Sequence, residues 1–266
     1  MSAETTVPAP KLAARHPLIH YFALTYLISW PFFLLSLQVG GGLRLALIIV
    51  GGFGPMAAAA LTVLRSSGSL SEWLRPILRW RVGLQYYAYA LGLPVLIMLT
   101  LNLALAVLGT EPDWSALPSR TPAYLQSFLL TAIVFGGQEE PGWRGFALPL
   151  LQRRHSPLVA TLILGLAWGI WHVPLYGPAG FVVPLVLAFF YTWLYNKTRS
   201  VLLCILLHAS FTPAQDHLLA TADSLTVDVT LLATYVVAAA VVIIASRARL
   251  GLPRGETTTA REEAPQ

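Results

Sequence analysis

A short charged segment interrupts the most apolar part of this sequence. Glu139 and Glu140 are adjacent and Arg144 follows, within the sequence Gln-Glu-Glu-Pro-Gly-Trp-Arg that begins at Gln138. The residues on both sides, from Phe128 to Phe135 and from Phe146 to Leu151, are mostly apolar. A charge near the centre of a bilayer costs about 2.5–3.5 kcal/mol on insertion scales, so ionisable residues there are usually functional. This segment is therefore the first candidate for a site.

The spacing of the three charges suggests how they are divided. Glu140 and Arg144 are four residues apart, and Glu before Arg at this offset is the favourable order on a helix. Glu139 points about 100° away from its neighbour on a helix, so it is left without that partner. We expect Glu140 to be neutralised and Glu139 to be free to act as a general base. A buried ion pair that only fixes helix packing is the alternative interpretation.

Two histidines lie in later apolar segments. His172 follows Trp168 by four residues and Thr212 follows His208 by four, so each pair shares a helix face. Convergence on one pocket with Glu139 would leave the fewest polar groups without partners in a membrane. A carboxylate and an imidazole can activate water for attack on a carbonyl, and a second imidazole can stabilise the oxyanion. Two His and one Glu are also a common zinc set, so zinc is not excluded, although the compact His-Glu-x-x-His pattern is absent.

The composition indicates an integral membrane protein. The 266 residues are 56% hydrophobic and 11% charged, whereas soluble domains have about 25% charged residues. The formal net charge of +5 does not indicate nucleic-acid binding, because the basic residues lie between apolar segments, where they set topology. The single cysteine, Cys204, excludes an internal disulfide and a site built on several cysteines.

The apolar segments predict an all-α bundle of about eight transmembrane helices. Each span needs roughly 20 mostly apolar residues. The candidate spans are 17–37, 43–64, 85–108, 122–150, 156–176, 181–196, 200–219 and 226–246. We predict one transmembrane domain over 15–250, with the catalytic motifs within 139–212. Disordered tails are expected at 1–14 and 251–266.

The basic residues predict the orientation of the bundle. With both termini in the cytoplasm, 14 of the 17 Lys and Arg residues fall on the cytoplasmic side, as the positive-inside rule requires. These are Lys11, Arg15, Arg65, Arg75, Arg79, Arg81, Arg153, Arg154, Lys197, Arg199, Arg247, Arg249, Arg254 and Arg261. The polar connector over 70–81 is either an interfacial segment on the anionic leaflet or a connector packed on the protein.

These motifs resemble those of the CPBP intramembrane peptidases, also called the type II CAAX prenyl endopeptidase or Abi family. The family's motifs are Glu-Glu-x-x-x-Arg, then an aromatic residue, usually Phe, four residues before His, and finally His-x-x-x-Asn or Asp. The matching residues are Glu139, Glu140 and Arg144, then Trp168 and His172, then His208 with Thr212 in the last position. The resemblance covers about residues 120–220.

The resemblance implies a metal-independent glutamic endopeptidase in a bacterial plasma membrane. In that family's scheme, Glu139 and His172 activate water, and His208 with the residue at 212 forms the oxyanion hole. Glu140 and Arg144 would support Glu139 and help to bind the substrate. That substrate would be a lipidated, for example prenylated, or otherwise membrane-associated peptide or protein, and the family favours a site open to the cytoplasm.

Two residues depart from the family pattern. Thr212 offers one hydroxyl donor in place of an asparagine amide, and loss of one oxyanion donor can cost about 10²–10³ in rate. Trp168 replaces phenylalanine, and we expect that exchange to be without consequence. The alternatives to a peptidase are a non-catalytic immunity or scaffold protein of the same family and a proton or ion carrier. A carrier would often show inverted repeats, and we find none in the sequence.

Overall fold

The computed structural model describes residues 16–110, 112–219 and 224–252, and within them every regular element is helical. The α-helices are α1 Pro17–Ser36, α2 Gly41–Gly52, α3 Gly54–Arg65, α4 Leu70–Leu74, α5 Leu84–Val107, α6 Leu117–Ile133, α7 Glu140–Gly142, α8 Leu148–Gln152, α9 Pro157–Tyr176, α10 Val182–Thr198, α11 Val201–His217 and α12 Leu225–Ala245. The 3₁₀ turns are Arg75–Leu78, Trp114–Ala116, Gly137–Glu139 and Pro178–Phe181, and Trp143–Ala147 is a π-helix.

Five helical segments in the described part of the chain are long and apolar enough to cross a membrane. They are Pro17–Ser36, Gly41–Arg65, Leu84–Val107, Pro157–Tyr176 and Leu225–Ala245. The protein is therefore a multi-pass integral membrane protein with an all-α bundle, as predicted. Helices α10 and α11 have 17 residues each, slightly short of a typical span, so the count of eight stays a prediction.

The fourth predicted span, 122–150, is not one continuous helix. Helix α6 ends at Ile133, and regular α-helix resumes only at Glu140, after a 3₁₀ turn. Gly136 has φ +152°, a backbone conformation that residues other than glycine rarely adopt. Pro141 lacks the N–H that a continuous helix would use there. The chain around Glu139 is thus irregular, and the two carboxylates lie at a break between two helices.

Serine caps begin the helices that carry the two histidines. Ser156 Oγ accepts a hydrogen bond from Val159 N at the start of α9, and Ser200 Oγ accepts one from Leu203 N at the start of α11. Each cap satisfies one of the free N–H groups of the first turn. These starts fix where His172 and His208 fall along their helices.

The core lies among α9, α10 and α11. Helix α9 packs on α10, α5 and α6 pack on α11, and α1 packs on α2 and α3. The outward faces of α5 and α12 are apolar, with Val107 87% and Ile244 75% exposed. Such surfaces suit contact with lipid rather than with water.

One part of the polar connector over 70–81 packs on the protein, and another part faces outward. Trp73 Nε1 donates a hydrogen bond to Pro141 O at 3.1 Å, so this side chain packs on the protein. Trp80 is 60% exposed and Leu78 is 77% exposed, so these side chains face outward.

The two predicted tails lie almost wholly outside the described residues. At the C-terminal end, Asn196 Nδ2 donates to Leu250 O, and Gly251 and Leu252 are buried. The expectation of disorder over 1–14 and from residue 253 onward stays a prediction.

Candidate active site

The predicted ion pair is present and completely buried. Arg144 Nη1 lies 3.0 Å from Glu140 Oε1, and both side chains are 0% exposed. The guanidinium carbon of Arg144 lies 4.1 Å from the ring centroid of Trp168 and 4.1 Å from that of Tyr191. Arg144 Nε and Nη2 have no hydrogen-bond partner among the described residues, so the two aromatic faces supply much of its environment.

His208 shares the same carboxylate oxygen. Its Nδ1 lies 2.8 Å from Glu140 Oε1, a contact that the sequence did not predict. Because an ionised carboxylate only accepts, Nδ1–H is the donor. To donate from Nε2 as well, the ring must carry protons on both nitrogens. A Cβ at Gly136 would lie 2.4 Å from His208 Nε2, so the imidazole rests against the backbone at the helix break.

Glu139 is held by two indoles rather than by a cation. Its Oε2 accepts a hydrogen bond from Trp168 Nε1 at 2.8 Å and one from Trp143 Nε1 at 3.3 Å. No ion pair involves Glu139 among the described residues, so the predicted division of the two carboxylates is confirmed. Phenylalanine could not donate the bond that Trp168 makes, so the tryptophan adds a contact to Glu139 that the sequence did not predict, and the expectation that the exchange is without consequence stays a prediction.

Sequence reasoning missed Trp143 as a site residue. The available signal was its position four residues after Glu139, which places the two on one side of a helical turn. Trp143 is 0% exposed, and its indole N–H has the carboxylate as its partner. Buried Trp N–H groups usually find such a partner.

His172 is oriented by its own helix. Its Nδ1 lies 2.8 Å from Trp168 O, and because a carbonyl oxygen only accepts, Nδ1–H is the donor. In the neutral ring this leaves the lone pair on Nε2. Edge contacts with Trp168 and Trp171 and stacking on Tyr176 hold the ring in place.

The four predicted catalytic residues border one cavity of about 850 Å³. Its walls include Glu139, His172, His208 and Thr212, so the predicted convergence on one pocket is confirmed. The other walls are mainly apolar side chains of α6, α9, α10 and α11, and this volume lies within the range of ligand sites. Glu140 and Arg144 do not border the cavity and lie behind Trp168 and His208.

The zinc alternative has no matching geometry in the described part of the chain. No group of three or more His, Cys, Asp or Glu side chains there is placed to hold a metal ion. In particular, His172, His208 and Glu139 do not form such a group.

Comparisons with known proteins agree with the location of this site. Residues 121–212 match the family model described as Type II CAAX prenyl endopeptidase Rce1-like, a range that contains every residue named above as bordering or supporting the site. The chain is also similar to CAAX prenyl protease 2 from Methanococcus maripaludis, with 32% identity over 43% of this chain and 47% of that relative. The similarity thus spans about half the length of the relative.

Proposed function

We propose, from the match of residues 121–212 to the Rce1-like type II CAAX prenyl endopeptidase family model, that this protein is an intramembrane glutamic endopeptidase. It would hydrolyse a peptide bond of a lipidated or otherwise membrane-associated peptide or protein. The observation that carries the proposal is the cavity that Glu139, His172 and His208 all line, in which the Glu139 carboxylate is buried and makes no ion pair among the described residues.

Glu139 and His172 are the pair that would activate water. Both indole donors bind Oε2 of Glu139, which leaves Oε1 available to accept a proton from water. The Nε2 lone pair of neutral His172 can accept a hydrogen bond from the same water. The hydroxide so formed would attack the scissile carbonyl, and the proton held by Glu139 would pass to the leaving amine.

His208 and Thr212 would stabilise the oxyanion. They lie one helical turn apart on α11 and both border the cavity. The Glu140 carboxylate fixes His208 through Nδ1, which directs Nε2 away from the ion pair. Arg144 balances the charge of Glu140, so the pair positions His208 and Trp168 without touching the cavity.

The surroundings of the cavity suit a substrate that arrives from lipid. Helix α6 packs along α11 and makes no extensive contact with α2 or α9, although the cavity borders α2, α6 and α9. The wall on this side is therefore a gap between helices rather than a packed interface. An apolar segment or a lipid chain could reach Glu139 through it, and the relative's name makes prenylated peptides the first substrates to test.

The test is cleavage of quenched-fluorescence peptides, with and without a prenylated C-terminal cysteine motif, by the purified full chain. Glu139→Gln should abolish cleavage and keep the melting temperature, because the amide keeps the shape but cannot take the proton. Glu72→Gln, an exposed carboxylate on α4, is the matched control and should cleave like wild type. Wild-type rates in Glu139→Gln would refute the mechanism.

Two further arms separate the alternatives. A strong chelator should leave the rate unchanged, and a loss of cleavage would point to zinc. Thr212→Val removes the hydroxyl and nearly keeps the shape, so kcat should fall by about 10²–10³ if Thr212 is an oxyanion donor. If no peptide is cleaved by wild type or by Thr212→Asn, the non-catalytic alternative gains the support that the peptidase loses.

A further inference from the structure

The polar connector over 70–81 packs one side against the protein. Trp73 and Ile77 contact the core, and Trp73 Nε1 donates a hydrogen bond to Pro141 O at 3.1 Å. A Cβ at Gly145 would lie 3.6 Å from the same indole nitrogen, which is ordinary van der Waals contact. The connector therefore lies directly against the segment that carries the two carboxylates.

Two further hydrogen bonds hold the end of the connector against the bundle. Ser200 Oγ, at the start of α11, donates to Arg79 O at 2.7 Å. The hydroxyl of Tyr87, in α5, donates to Trp80 O at 2.6 Å. Both bonds use backbone oxygens of the connector, so the side chains of Arg79 and Trp80 remain available on the outside.

The other side of the connector combines arginines with large apolar side chains. Arg75, Arg79 and Arg81 are exposed, and so are Leu78 at 77% and Trp80 at 60%. The guanidinium carbon of Arg81 lies 5.0 Å from the ring centroid of Trp80, so charge and apolar surface adjoin. We call these five residues the outer face of the connector.

The outer face carries a positive charge that the protein does not neutralise. In the described part of the chain, no ion pair includes Arg75, Arg79 or Arg81. Within the connector these three arginines are accompanied by a single carboxylate, that of Glu72. A partner that complements this face must therefore be anionic.

The position of the connector indicates what kind of anion it meets. It joins the ends of two segments that can span a membrane, Gly41–Arg65 and Leu84–Val107, so it lies at the membrane surface. Trp and Leu side chains at this depth lie at the boundary of headgroups and acyl chains, and arginines reach the phosphates. A soluble anion would contact the arginines and leave Leu78 and Trp80 in water, so the combination favours a lipid.

We propose that the outer face of the connector binds the headgroups of anionic phospholipids. The planar guanidinium group can donate two hydrogen bonds to one phosphate, and Leu78 and Trp80 contact the upper part of the acyl chains. Because the inner side packs on Pro141 through Trp73, bound lipid favours the packed connector and stabilises the folded protein. This surface is separate from the central cavity, which no connector residue among those described borders.

The test measures the melting temperature of the purified full chain in mixed micelles, through the reaction of buried Cys204 with a fluorogenic maleimide. Dioctanoyl phosphatidylglycerol is compared with dioctanoyl phosphatidylcholine, which has the same chains but no net charge, and with glycerol phosphate, which has no chains. Phosphatidylglycerol should raise the melting temperature in a saturable way, and the other two compounds should not. An equal shift with phosphatidylcholine would overturn the recognition of charge, and an equal shift with glycerol phosphate would overturn the assignment of a lipid.

A matched pair of variants locates the binding surface. Arg79→Gln/Arg81→Gln removes two charges from the outer face, and Arg153→Gln/Arg154→Gln removes two exposed charges after α8. Each basic side chain near an anionic surface strengthens binding about five-fold, so the first variant should need about 25-fold more phosphatidylglycerol for the same shift. The second variant should respond like wild type. Equal losses in both variants would show general attraction to the basic residues and would refute a specific surface, as would a wild-type response of the first.

A substitute variant and the readout keep the result independent of other properties. If Arg79→Gln/Arg81→Gln does not accumulate, Arg75→Gln/Arg81→Gln replaces it with the same expectation, because Arg75 is exposed on the same face. No arm of the test requires proteolysis. A chain that cleaves no peptide but shows the expected lipid response would contradict the proposed function and support this surface, and the opposite result would do the reverse.

Discussion

The buried pair Glu140–Arg144 should show strong energetic coupling. We consider Glu140→Gln, Arg144→Met and the double variant. Methionine keeps an unbranched, polarisable side chain between the rings of Trp168 and Tyr191, so the change removes mainly the charge and its hydrogen bond. Glutamine keeps an oxygen that can accept from His208 Nδ1.

The expected size follows from the burial of both groups. Removing one partner of a buried pair costs about 3–5 kcal/mol, because the other charge stays buried without compensation. Both side chains are 0% exposed, so solvent cannot take over either role. The double variant leaves neither charge. Its loss of folding free energy should therefore be smaller than the sum of the two single losses by about 2–3 kcal/mol. Each single variant should melt about 6–20 °C below wild type.

Cys204 supplies the assay. It is the single cysteine of the chain and is 0% exposed, so a fluorogenic maleimide reports the temperature at which the bundle opens. Arg153→Met, which changes an exposed side chain, is the control and should shift stability by no more than about 0.5 kcal/mol. Additive effects in the double variant, or an Arg144→Met protein that melts like wild type, would refute the account of the pair.

Further predictions concern the carboxylate support and the helix break. Trp168→Phe removes the shorter indole bond to Glu139, worth about 1.5–3 kcal/mol for a charged acceptor, so kcat/KM should fall about 10–100-fold. Trp143→Phe removes the longer bond and should cost less, and a larger loss in Trp143→Phe would contradict this order. Gly136→Ala should lower both the melting temperature and the activity, because the new Cβ would lie 2.4 Å from His208 Nε2 and because alanine is strained at φ +152°. Wild-type values for both would contradict this account of the close approach.

Much of the site could be predicted because membrane burial restricts polar residues so strongly. In an apolar chain, Glu139, His172 and His208 need partners, and each lies in a segment that must be helical. The four-residue spacing of Glu140 and Arg144 then gives the pair directly. These inferences need only local periodicity and the cost of an unpaired charge.

Contacts between distant segments could not be predicted in the same way. The bond from Trp168 to Glu139 joins residues 29 apart, and that from His208 to Glu140 joins residues 68 apart. Both depend on how the helices rotate about their axes and on the turn of the backbone at Gly136. A family motif with phenylalanine at the position of Trp168 predicts an aromatic ring there, but it does not predict the hydrogen bond from the indole N–H to Glu139.

Composition and residue spacing were enough to predict the class of protein, the chemical groups of the site and their convergence on one cavity, because a membrane tolerates few polar groups without partners. The packing of the helices sets which oxygen of each carboxylate is engaged and which residues lie behind the cavity. Those properties depend on the relative rotation and depth of helices far apart in the chain, and helical periodicity within one segment carries no information about them.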